Sequence, residues 1–119
     1  MSIQDNVKLV RLDRYAGTIS SATPYTGAWR RTEWFSRLVG TLYCSNTIDL
    51  MIDQSNSPIG TTDASMLAEY ITTCGNTLAS NLAFSVENVS LWARMRLVNN
   101  TASATAANVV ANFLGRVDS

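Results

Sequence analysis

Between Ser90 and Asn100 apolar and polar positions alternate. Leu91, Ala93, Met95 and Leu97 fall on one side, Trp92, Arg94, Arg96 and Val98 on the other, and Asn99-Asn100 ends the run. Successive strand residues point to opposite faces, so this period of two predicts a strand with one apolar face and one face of tryptophan and guanidinium groups. The same reading makes residues 48–54 a strand with Ile48, Leu50 and Ile52 inward and Asp49, Met51 and Asp53 toward solvent. Residues 38–44 are apolar and rich in strand formers, and Ser45-Asn46-Thr47 is a turn. Two such runs joined by a few turn residues predict a hairpin.

Other segments follow the same logic. Residues 7–12 alternate and predict an edge strand or an arm. Residues 15–27 are rich in Gly, Ser, Thr and Pro and predict loop. Leu82, Phe84 and Val86 give the stretch 78–87 a core face. Asn88-Val89 turns the chain into the next strand. Residues 63–72 carry two signals, helical spacing of Met66, Leu67, Tyr70 and Ile71 and the strand composition of Tyr70-Ile71-Thr72-Thr73. They predict a short helical turn entering a strand. Residues 108–117 close the chain with Val109, Ala111 and Phe113 on one side and Val110 and Leu114 on the other, a strand between two layers or against a partner.

Seven or eight short strands, with turn signals at the roughly 8–12-residue spacing of sandwiches and barrels, predict an all-β antiparallel sandwich with one short helical turn. At 119 residues the chain fits one domain, divided into an N-terminal strand or arm and loop (1–26) and the sandwich proper (27–119).

Composition narrows the function. Hydrophobic residues make up 46% and charged residues 15%, with nine basic and nine acidic side chains and a pI near 6.1. That balance argues against nucleic-acid binding through bulk charge, and a weakly charged surface favours association. The expectation is an oligomer, with a trimer favoured. The start Met1-Ser2-Ile3-Gln4-Asp5-Asn6 lacks the cationic and apolar regions of a signal peptide, and no apolar run approaches bilayer length. Cytoplasmic synthesis without a membrane partner is expected. Cys44 and Cys74 read as buried small hydrophobes rather than a disulfide framework or a zinc site.

Candidate chemistry is sparse. With no histidine, the usual general base, nucleophile activator and metal ligand are missing. Asp49 and Asp53 share a strand face and form the one conceivable carboxylate pair, read here as solvent-facing positions. The six glycines form no phosphate-cradling motif. No enzyme, cofactor or metal site is expected. Two constellations remain. Trp29-Arg30-Arg31-Thr32-Glu33-Trp34-Phe35 has the aromatic and arginine content of an interface, while Trp29 and Phe35 equally suit a core. In the second, Trp92, Arg94 and Arg96 suit stacking of a guanidinium on an indole.

Several of these segments together resemble a known group. Leu42-Tyr43, the run Ile48-Asp49-Leu50-Met51-Ile52-Asp53-Gln54-Ser55-Asn56, then Phe84-Ser85-Val86 and Trp92-Ala93-Arg94-Met95-Arg96-Leu97-Val98-Asn99-Asn100 look like small jelly-roll proteins of tailed bacteriophages. The resemblance covers roughly residues 27–115. Where that group continues Gln-Ser-x-Asp-Gly, this chain has Ser57-Pro58. The resemblance implies a jelly roll and a virion structural role: most directly a capsid decoration or cement protein bound to the major capsid protein or other virion proteins, alternatively a head- or tail-fibre domain binding carbohydrate. The interface expected on that reading comprises Val7, Lys8, Leu9, Arg11 and Arg14 in the N-terminal stretch, with Trp29, Arg30, Arg31 and Trp34.

Overall fold

The computed structural model describes residues 7–56, 66–74, 80–99 and 106–118. They form nine strands: β1 (Val7–Ile19), β2 (Tyr25–Thr26), β3 (Arg30–Arg31), β4 (Arg37–Cys44), β5 (Ile48–Ser55), β6 (Met66–Cys74), β7 (Ser80–Glu87), β8 (Trp92–Val98) and β9 (Ala107–Asp118). One sheet has the order β1-β9-β4-β7. The other has the order β2-β8-β5-β6, with β3 also pairing β8. Every pairing is antiparallel. The partners are nested along the chain: β1 with β9, β2 and β3 with β8, β4 with β7, and β5 with β6. Such nesting is one long hairpin wound into two facing sheets, the path of a jelly roll.

Three local expectations change. Residues 38–44 and 48–54 are strands but not a hairpin: β4 pairs β7 and β9 in one sheet, while β5 pairs β6 and β8 in the other. Ser45-Asn46-Thr47 therefore carries the chain across the sandwich. Leu42, Cys44, Ile48 and Leu50 all enter one core from opposite layers, which a hairpin would not allow. The predicted loop at 15–27 is strand as far as Ile19, because all of Tyr15–Ile19 finds ladder partners on β9. The helical turn is absent from residues 66–72, which belong to β6. Pairing with β5 and the run Tyr70-Ile71-Thr72-Thr73 outweigh the helical spacing. Residues 63–65 lie outside the described residues.

Alternation places the core as expected. Ile48, Leu50 and Ile52 on β5 meet Ala93, Met95 and Leu97 on β8, all at 0% exposure. Val109, Ala111 and Phe113 on β9 close it from the facing sheet. Burying each such Leu or Ile contributes about 1.5–3 kcal/mol relative to exposure. Gly40, opposite Phe113 and Phe84 in the ladder, leaves room for the Phe84 and Phe113 rings to approach at 6.5 Å. A Cβ there would collide with the Asn112 carbonyl and the Phe84 ring.

Polar side chains fasten the ends of the sandwich. Asn88 Nδ2 donates to the carbonyls of Thr32 (2.5 Å) and Phe35 (2.9 Å). Gln54, 1% exposed, donates through Nε2 to the Glu87 carbonyl and accepts at Oε1 from the Val89 amide and the Ser90 hydroxyl. Two sheet-crossing segments, 32–36 and 87–91, are thus tied together without an unsatisfied buried amide at this corner. At the far end buried Asn99 donates to the carbonyl of Ile19, the last residue of β1.

Candidate functional site

The outer face of the β8–β5 sheet carries a ladder of alternating tryptophan and arginine. Arg31 and Trp92 are register partners on β3 and β8, and the guanidinium lies 5.5 Å from the ring centre. One step along, Trp29 immediately precedes β3 and stacks on Arg94 at 4.5 Å. The two aromatic–arginine motifs found in the sequence therefore stack on each other, not each within itself. Arg31 also grips Glu33, with Nε to Oε1 at 2.9 Å and Nη2 to Oε2 at 3.2 Å.

Beneath the ladder lies Asp53. Arg94 Nε reaches its Oδ2 at 2.8 Å, while Arg96 places Nε on Oδ2 at 2.6 Å and Nη2 on Oδ1 at 2.9 Å. Asp53 occupies the outward strand position expected, but it is 0% exposed, because long arginine side chains from the neighbouring strand roof it. This corrects its reading as a solvent-facing residue. A carboxylate out of water needs such partners, since burial of an unpaired charge is prohibitive. Asp49 on the same face is partly exposed and accepts from the Thr73 hydroxyl at 2.7 Å. The pair is committed to framework bonds rather than posed over an open cleft.

A different cluster forms where the sandwich opens between edge strand β1 and the β2–β3 segment. A bulge in β1 between Arg11 and Asp13 shifts the register with β9 and buries the extra residue, Leu12. Beyond the bulge Asp13 faces inward, opposite buried Phe113. Its oxygens accept the Tyr25 hydroxyl at 2.9 and 2.8 Å, and Oδ1 also takes the Arg14 amide at 2.8 Å. Burial, reinforced by this acceptor and its charge, pushes the Tyr25 phenol up to about 12. The Tyr15 ring lies 4.6 Å from that of Tyr25. The Asp13–Tyr25 pair thus joins the two sheets and floors a cleft of about 330 Å³ lined by Arg11, Leu12, Asp13, Arg14, Arg30 and Arg31. Among the described residues its lining brings four arginines to one acidic residue, Asp13. Arg11, Arg14 and Arg30 form no ion pair with any described residue.

The expected interface residues are placed as follows. Arg11, Arg14, Arg30 and Arg31 come from segments far apart in sequence and meet in this cleft. Leu9 (58% exposed) sits on β1 opposite Arg116, whose carbonyl accepts the Ser36 amide; exposed Trp34 therefore belongs to the same end of the sandwich. Lys8 is exposed on β1, and Val7 pairs with Asp118 at its start. Trp29 is half-buried in the ladder. Phe35, the core alternative in that motif, is buried against the position of Gly115. Asp13 and Tyr25 were not singled out in the sequence; nothing local marks two residues twelve apart as partners across two sheets.

On the β1-β9-β4-β7 sheet, the outer face between β4, β7 and β9 holds a shallow depression of about 260 Å³ among Thr41, Tyr43, Asn81, Ala83, Val110 and Asn112. Among the described residues no group of three or more His, Cys, Asp or Glu side chains gathers as metal ligands. No protein-family model matches the chain, and a search of curated proteins finds no match.

Proposed function

We propose that this protein is a structural component of a bacteriophage virion, a decoration protein that docks on the capsid shell as an oligomer and strengthens it. The observation that carries the reading is the meeting of Arg11, Arg14, Arg30 and Arg31 at one open edge of a jelly roll. The other arginines of the aromatic motifs, Arg94 and Arg96, are taken up by Asp53. Arg31 is held by Glu33, whereas Arg11, Arg14 and Arg30 form no ion pair with any described residue, and arginine is among the residues enriched where proteins dock. Exposed Leu9, Val10 and Trp34 supply apolar contact area at the same end. The jelly-roll architecture is common to viral capsid and lectin domains, and the resemblance in residues 27–115 favours the virion. A docked decoration protein stabilises the shell because it binds the assembled state in preference to the dissociated one.

The test is the copy number of this chain in purified particles, measured by quantitative mass spectrometry, with wild-type protein and Arg11→Gln/Arg30→Gln compared. Many copies on heads, and a marked depletion of the variant, are expected. Absence of the wild-type chain from particles, or equal incorporation of the variant, overturns the proposal.

A further inference from the structure

The arginine cleft adjoins an unpaired strand edge. β1 is thirteen residues long and pairs only with β9; no described strand covers its other side. An edge of that length offers a row of backbone N–H and C=O groups to another extended chain. Lys8, Arg11 and Arg14 lie along it, and Arg30 and Arg31 face it across the cleft from the other sheet.

We propose that β1 receives an extended acidic segment of a partner protein as an added strand, with its carboxylates seated on Arg11, Arg14 and Arg30. Charge complementarity selects this occupant. A second copy of β1 would bring Lys8, Arg11 and Arg14 against the same cations, and like charges across a strand pair are destabilising. Charged edge residues and a bulge serve in many proteins merely to keep edges apart. Such a guard needs nothing from the facing sheet, whereas Arg30 extends the cationic surface there. Asp13, the one carboxylate among the described residues of the cleft, does not compete for these arginines, because its oxygens hold the Tyr25 hydroxyl and the Arg14 amide. The backbone ladder supplies affinity, and paired guanidinium–carboxylate bonds supply selectivity.

The inference rests on the cleft being a docking site and adds the chemistry of what docks. The probe is a short fluorescent peptide alternating valine and glutamate, titrated against the full chain by anisotropy at low and moderate salt. A glutamine counterpart and a single-stranded oligonucleotide of similar length run alongside. The glutamate peptide is expected to bind at least about tenfold more tightly than the glutamine peptide, to lose about tenfold in Arg11→Gln/Arg30→Gln, and to weaken with salt. Amide exchange should slow along β1 on binding. Equal binding of the two peptides, indifference to the arginine substitutions, tighter binding of the oligonucleotide, or protection elsewhere than β1 each overturns the inference. These arginines are exposed, so folding of the variants is expected and is verified by their melting curves. If the chain is present on particles while the peptide fails to bind, the acidic-strand inference falls and the decoration role stands.

Discussion

Replacing Asp53 by Asn keeps the shape of the side chain and removes its charge. The wild-type carboxylate is fully buried and receives three guanidinium N–H bonds at 2.6–2.9 Å. Breaking a buried pair by removing one partner costs about 3–5 kcal/mol. Arg94 and Arg96 retain 20% and 23% of their side-chain exposure, so water recovers part of that loss. A cost of about 3 kcal/mol results, a large share of the ~5–15 kcal/mol available to a domain. For a chain of 119 residues this lowers the melting midpoint by about 12 °C. Calorimetry and urea unfolding measure it. The triple replacement Asp53→Leu/Arg94→Met/Arg96→Met removes the charges together and should recover most of the loss, because desolvation offsets much of a buried ion pair's attraction. An Asp53→Asn protein melting within about 3 °C of wild type would refute the view that Asp53 braces β5 to β8.

Three further outcomes follow from other contacts. Asn88→Ala strips the donors from the Thr32 and Phe35 carbonyls and should cost about 2–3 kcal/mol in urea unfolding. Gly40→Ala drives a Cβ into the Asn112 carbonyl and should cost about 2 kcal/mol or more, read from the thermal midpoint. The Tyr25 phenol titrates near 12 when folded against 10.0 ordinarily, so the folded state keeps a proton that the unfolded state releases. The resulting stability is fully present below pH 10 and lost as pH rises toward 12; urea midpoints of wild type and Tyr25→Phe should converge over that window.

Sequence alternation located β5, β8 and the core face of β9 because one face of each is buried and the side-chain period is exactly two residues. It could not tell a hairpin from a sheet crossing at Ser45-Asn46-Thr47: both need a short polar turn between apolar runs, and the choice is made by β9 and β7, far away in sequence. The end of β1 was hidden by Ala16-Gly17-Thr18, small residues that read as loop yet suit an edge strand. Asp53 was placed on the correct face but given the wrong environment, since a strand pattern does not register roofing by Arg94 and Arg96 from the next strand. Of the cleft, the arginines were legible one motif at a time. Their convergence was not, because it depends on the bulge at Leu12 and on the Asp13–Tyr25 bond between sheets.

The central claim is that the open edge between β1 and β3 is the docking surface. Hydroxyl-radical footprinting of the free and the particle-bound protein tests it most directly. Strong protection of Leu9, Val10 and Trp34 on particles, with Tyr43 and Val110 at the other end of the same sheet still reactive, is the predicted result. Protection confined to Tyr43 and Val110, with Leu9, Val10 and Trp34 as reactive as in the free protein, would contradict it.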